Sequence, residues 1–159
     1  MFDLIRQEYR RHERSALNPA LWAVLNYRYG IWALTVKPAP LRWIASKIYG
    51  LFLFIINISS GIRLHRETKI GKGLHLIHSG NIQIHPRAVI GDNCGIQQDV
   101  NIGKNMERRG VPNIGNNVYI GRGATILGDI TIGDDARIAA NSLVIQDVPA
   151  KATAIGVPA

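Results

Sequence analysis

The chain has 159 residues, a single cysteine and a net charge of +8: enough length for one domain with a small extension, and no possibility of an internal disulfide. The charge is lopsided, with ten Lys/Arg against three Asp/Glu (+7) over residues 1–66 and nine against eight (+1) over residues 67–159. No helix-turn-helix, zinc-finger or RNA-binding signature accompanies the basic part, so no nucleic acid is expected. The N-terminal MFDLIRQEYRRHER also lacks the apolar core and cleavage site of a signal peptide.

Residues 2–15 read as a short amphipathic helix, with Leu4, Ile5 and Tyr9 on one face and Arg6, Arg10, Arg11 and Arg14 on the other. Asn18-Pro19 signals a second helix, Asn as N-cap and Pro at the first helical position, running to about Val36, where KPAP (37–40) ends it. A third helix is expected from about Leu41 to Ile58. Its apolar run, 49–58, is shorter than the roughly 18–20 residues that span a bilayer. Two roles stand open for it: packing against its neighbours or another subunit, or lying with its basic and Trp-containing surroundings in a membrane interface.

Beyond Ser59-Ser60-Gly61 the pattern changes. An aliphatic residue recurs every sixth position at Ile84, Ile90, Ile96, Ile102, Ile114, Ile120, Ile126, Ile132, Ile138 and Val144, with one beat missing at Arg108. Such a period fits neither helix nor alternating strand. It marks a parallel β-helix of hexapeptide repeats, each repeat one side of a triangular coil. The fifth place of the repeat is small (Ala88, Cys94, Val118, Ala124, Ala136, Ser142), so Cys94 reads as an inward-facing core residue. An earlier series, Leu64, Ile70, Leu76 and Ile82, is out of phase, and a two-residue slip therefore lies between Leu76 and Ile84. A second break, 102–113, spans two repeats without the central aliphatic and should bulge as a loop.

The breaks hold the residues able to do chemistry. His78 lies in the first, and an imidazole with a pKa of about 6.5 is the usual general base at neutral pH. A loop histidine bonded to backbone is the alternative. Arg108 and Arg109 lie in the second, where they would hold an anionic acceptor or a phosphate, or remain solvated loop charges. His75, His78 and His85 repeat no ligand spacing and have no acidic or thiolate companion, so no metal site is expected. His65 and His85 should point outward, and His12 carries no special signal.

The segments IGKGLHLIHSG, IGDNCGIQQDVNIG, PNIGNNVYIGRGATILGDITIGDDARIAANSLVIQDVP and GVPA closely resemble the serine acetyltransferase branch of the hexapeptide acyltransferases, over about residues 60–159. The resemblance implies a left-handed parallel β-helix at 61–159 behind a helical segment at 1–60, a homotrimer, and acetyl-CoA as acetyl donor. It implies His78 as the catalytic base and cofactor contacts at Gly103, Lys104, Arg122 and Ala140.

Three positions depart from that family. Arg63 stands where an aspartate orients the histidine, Ile77 where an aspartate binds serine, and Gly110-Val111 where an Arg-His pair precedes the loop-closing proline. What orients His78 instead is open, with Glu67 or a backbone carbonyl as options. These losses look more like the acetyltransferases of exopolysaccharide and capsule biosynthesis, such as the colanic acid O-acetyltransferases. The expectation is thus an O-acetyltransferase acting on a sugar or lipid-linked glycan, cytoplasmic or peripheral at the inner membrane face, with packing favoured for the third helix and contact of residues 1–60 with anionic lipid as the alternative. Serine O-acetylation and a non-catalytic scaffold are the alternatives.

Overall fold

The computed structural model describes residues 2–12, 15, 17–105 and 110–159. Three helices come first: α1 (Phe2–Arg11), α2 (Pro19–Thr35) and α3 (Ala39–Ser60). Short strands follow: β1 (Lys69–Ile70), β2 (His75–Leu76), β3 (Gln83–Ile84), β4 (Val89–Ile90), β5 (Gly95–Ile96), β6 (Asn101–Gly103), β7 (Asn113–Ile114), β8 (Tyr119–Ile120), β9 (Thr125–Leu127), β10 (Thr131–Ile132), β11 (Arg137–Ile138), β12 (Leu143–Val144) and β13 (Thr153–Ala154). They pair in parallel into three sheets, β1-β4-β7-β10, β2-β5-β8-β11-β13 and β3-β6-β9-β12, which are the three sides of a β-helix.

The six-residue beat is the core. Every member from Ile84 to Val144 is at most 3% exposed, and stacked isoleucines meet in register, as in Ile96↔Ile120 and Ile120↔Ile138. The small fifth-place residues, Cys94 among them, turn inward at the corners. Burial pushes the Cys94 thiol up to about 11, so it stays a protonated core group rather than a nucleophile. Asn93, Asn117 and Asp135 hold left-handed backbone (φ 59, 56 and 60°) at one corner, a conformation that short Asx side chains tolerate.

The first coil of a β-helix presents an open edge of unpaired backbone groups. Here the helices close it. His12 Nε2 accepts the Leu76 N–H (3.2 Å) on the second sheet. On the first sheet Tyr27 Oη accepts from Ile70 N–H (3.1 Å) and donates to Thr68 O (2.7 Å), while Arg28 Nη1 donates to Ile70 O (3.0 Å). Tyr49 Oη accepts from Arg66 N–H (2.9 Å).

This corrects the expected face of α1. Ile5 and Tyr9 are exposed, and the side that packs carries Glu8 and His12, both fully buried. The reason is that the surface to be covered is a polar strand edge, which apolar side chains leave unsatisfied. Asn18 caps α2 as expected, its Oδ1 accepting Ala20 N–H at 2.9 Å. α3 runs longer than expected and ends at Gly61, whose φ of 70° gives a left-handed cap. By length and composition α3 is sufficient to cross a bilayer, yet Ala45, Tyr49 and Ile56 form a buried stripe on the rest of the protein. Its remaining surface is apolar and exposed, including Trp43, Leu51, Phe54 and Ile58 at 58–70%.

Candidate functional site

The slip in the repeat resolves into two extra residues at one corner. Before it, Ile77 N–H still bonds Ile96 O (2.9 Å). After it, Gly80, at a φ of 146°, stacks so closely on the next coil that a Cβ there would meet Gln98 Cβ at 2.8 Å. The insertion is therefore His78-Ser79, with both residues exposed. Ile82, which the six-residue count joined to Leu76, belongs to the corner row with Ile62 and Val100, all three buried.

The coils beneath continue the column. Tyr119 pairs with Gly95 and with Arg137, so Gln98, Arg122 and Ala140 fall on successive rungs at this same corner, about 4.8 Å apart. His78, Arg122 and Ala140 thus lie along one corner, on the first, third and fourth of its rungs. Arg122 is exposed, 3.4 Å from Asp99, and its N–H donates to Gln97 Oε1 (2.8 Å). Gly103 and Lys104 lie elsewhere: Gly103 ends β6 at the opposite margin of the third sheet, and Lys104 is exposed just beyond it. Arg108 and Arg109 lie outside the described residues. Glu67 pairs with Arg66 (3.4 Å).

Two features escaped the sequence pattern. Gln98 Oε1 is buried without a hydrogen-bond partner beside the His78 insertion, an acceptor left to whatever enters the corner. Only the stacking of Gly80 on Gln98 reveals it. The other is a hollow of about 210 Å³ across the outer face of the third sheet, lined by Arg63, His65, Gln83, His85, Asn101 and Gly103 among others. His85 Nδ1 accepts the Arg87 N–H (3.1 Å), which leaves the ring hydrogen on Nε2. Desolvation first, then Lys104, Arg87 and His65, hold its pKa below the usual value. Among the described residues no group of three His, Cys, Asp or Glu is arranged to hold a metal ion.

Residues 112–146 match the family model described as bacterial transferase hexapeptide (six repeats). Over 145 residues the chain is 37% identical to a serine acetyltransferase of Helicobacter pylori, covering 90% of this chain and 81% of the relative. The chain belongs to the serine acetyltransferase family. It is 36% identical over 110 residues to the serine acetyltransferase of Synechococcus elongatus, of which it spans 45%. Among solved structures, the serine acetyltransferase of Brucella abortus in complex with coenzyme A matches 98% of the chain with a TM-score of 0.79 and 26% identity, 63% of that chain being covered.

Membership in the serine acetyltransferase family corrects the reading drawn from Arg63, Ile77 and Gly110-Val111. The sugar, glycan or lipid-linked acceptor, and with it the exopolysaccharide and capsule affinity, is overturned by the likeness to the Helicobacter protein along nine-tenths of the chain. Lost motif residues say which groups do not hold the acceptor, and a sugar-binding feature was never among those that remained. The basic, aromatic N-terminal segment offered as a second clue has a structural task, since His12, Tyr27, Arg28 and Tyr49 close the β-helix edge.

Proposed function

We propose that the protein is an acetyl-CoA-dependent O-acetyltransferase that acetylates the side-chain hydroxyl of serine. One observation carries the reading: in a member of this family, the only residues added to an otherwise regular corner are His78-Ser79, with the imidazole exposed. His78 removes the proton from the acceptor hydroxyl, and the oxygen attacks the thioester carbon of acetyl-CoA. The tetrahedral oxyanion collapses, the carbon–sulfur bond breaks, and the proton held by His78 passes to the departing coenzyme A thiolate.

The donor fits the residues present. Ala140 leaves room on the corner, the exposed Arg122 is a cation suited to a phosphate, and Lys104 is exposed at the other margin of the sheet. Gln98 Oε1 offers an acceptor to an N–H of either substrate. A homotrimer is supported by the apolar side chains that the coils leave half-buried or exposed on the outside, Leu127, Leu143, Ile145 and Ile155.

Thiol release from acetyl-CoA with L-serine tests the reading directly. The expected outcome is turnover that falls by about 10²–10⁴ in His78→Ala. Wild-type protein that releases no thiol above the rate of hydrolysis with L-serine overturns it. Sedimentation velocity of the same sample checks for three copies.

A further inference from the structure

We propose that the hollow on the third sheet binds the carboxylate of the acceptor, an inference that rests on the serine reading above. The hollow spans three coils. Arg63 neighbours Gln83, which neighbours Asn101, and the row beside them runs His65, His85, Gly103. Among the described residues its walls contain an arginine and two histidines and no acidic residue. Lys104 and Arg87 add positive charge close enough to act on His85. Among the described residues no acid lines the hollow, and Glu67 pairs with Arg66. Cations gathered without counter-charge repel one another, and an anion between them relieves that repulsion.

The details favour a carboxylate. Arg63 Nε donates to Asn57 Oδ1 at 2.7 Å, which fixes the plane of the guanidinium. Its two terminal nitrogens have no carboxylate partner among the described residues, so a fork suited to two parallel hydrogen bonds is held ready. Gln83 Nε2 is held by Gly61 O and Asn81 Oδ1, and His85 carries its hydrogen on Nε2 as a further donor. The hollow lies on the sheet into which the His78 corner runs, and Gly103 forms its far margin. An acceptor anchored by its carboxylate there has its hydroxyl end toward the corner that carries the base. Arg63 thus does more than lose an orienting aspartate, for it supplies a charge of the opposite sign for the acceptor.

The experiment compares wild type with Arg63→Gln and Arg63→Lys, using L-serine, L-serinamide and acetyl-CoA. The expected result for Arg63→Gln is a KM for L-serine raised about 10- to 100-fold, an unchanged KM for acetyl-CoA, and little change with L-serinamide, which has no carboxylate; Arg63→Lys falls between. Binding is read separately by NMR of the His65 and His85 rings, whose signals should move on addition of L-serine or acetate in wild type and stay still in Arg63→Gln. A raised KM for acetyl-CoA with that for L-serine unchanged overturns the assignment in favour of a coenzyme phosphate. Unchanged constants in a folded Arg63→Gln, with rings that stay still in wild type or move equally in both proteins, overturn the site altogether, while serine turnover by wild type leaves the reaction standing. Conversely, rings that respond to acetate in a wild type that does not turn over L-serine uphold the site and sink the reaction.

Discussion

At the scale of single residues, the pair Glu8 and His12 is the most consequential the helices contribute. His12 donates Nδ1–H to Glu8 O (2.8 Å) and accepts the Leu76 N–H at Nε2, so both ring nitrogens are used only when the ring is neutral. Burial, then the nearby Arg11, holds its pKa below 6.5. The unfolded chain takes up a proton on this ring as the pH falls below 6.5, and the folded chain resists doing so. Stability should therefore decline with falling pH from that point. Glu8 works in the opposite sense. Its carboxylate is paired with Arg28 at 2.9 Å, but burial outweighs the pairing and raises its pKa above 4.5, so proton uptake there favours the folded chain. The two effects are of opposite sign, and a difference measurement separates them. Urea midpoints at pH 7.5 and 5.5 should show wild type losing more stability on acidification than His12→Gln. Identical losses in the two proteins would clear the ring of responsibility. At pH 7.5, His12→Ala should cost about 1–3 kcal/mol by leaving the Leu76 N–H unpaired.

At the scale of elements, the sequences IGDN (90–93), IGNN (114–117) and IGDD (132–135) build a ladder up one corner. Lys72 N–H donates to Asp92 Oδ1 (2.7 Å), Asp92 N–H to Asn116 Oδ1 (2.8 Å), and Asn116 N–H to Asp134 Oδ1 (2.6 Å). Each side chain serves the coil before it, where the turn would otherwise leave an amide unpaired. Asn116→Ala removes one rung and should lower stability by about 1 kcal/mol, a fall of roughly 2–4 °C in Tm for a chain of this size. Asn113→Ala, at an exposed strand position with no side-chain bond among the described residues, should lower it less; an equal loss in the two would show that the ladder contributes nothing. The coils were legible in the sequence because their period is local, and each inward isoleucine announces itself six residues from the next. The two-residue slip was legible for the same reason, and its extra members, His78-Ser79, lie between Leu76 and Ile84 as the count requires. The caps were not legible. Tyr27 lies 43 residues from Ile70 and His12 lies 64 from Leu76, and no periodicity links groups so far apart. A helix read for its apolar face had no means of showing that Glu8 and His12 were the residues turned inward. The hollow around Arg63 was hidden likewise, since its walls come from three coils and become neighbours only once the register is known.

At the scale of the whole molecule, one end is a polar solenoid and the other a helical cap with an apolar exterior. α2 and α3 leave Trp22, Trp32, Trp43, Leu51, Phe52, Phe54 and Ile58 exposed at 41–70%, far more than scattered surface apolar residues account for. Charge distinguishes the partner. No acidic residue occurs between Glu13 and Glu67, whereas Lys37, Arg42 and Lys47 are exposed on or beside α3. Lys47 sits 5.5 Å over the Trp43 ring, an aromatic–cation pairing suited to a headgroup boundary. A second copy of this surface would bring like charges together, while an anionic bilayer complements them. We propose that the cap rests on an anionic membrane surface, α3 lying along the interface because Tyr49 and Ile56 hold its inner side to the protein. Removing the helices is a poor test, since it would uncover the β-helix edge as well. The better variant is Trp43→Ser/Phe54→Ser, which leaves the buried stripe intact. Wild type should co-sediment with phosphatidylserine vesicles, with blue-shifted tryptophan emission, and release as salt rises, because each basic residue near the surface contributes about 1 kcal/mol within a Debye length. The double variant should bind at least tenfold more weakly. Wild-type protein that ignores such vesicles but forms larger assemblies through this face, lost in the double variant, would assign the surface to a second copy of the chain instead.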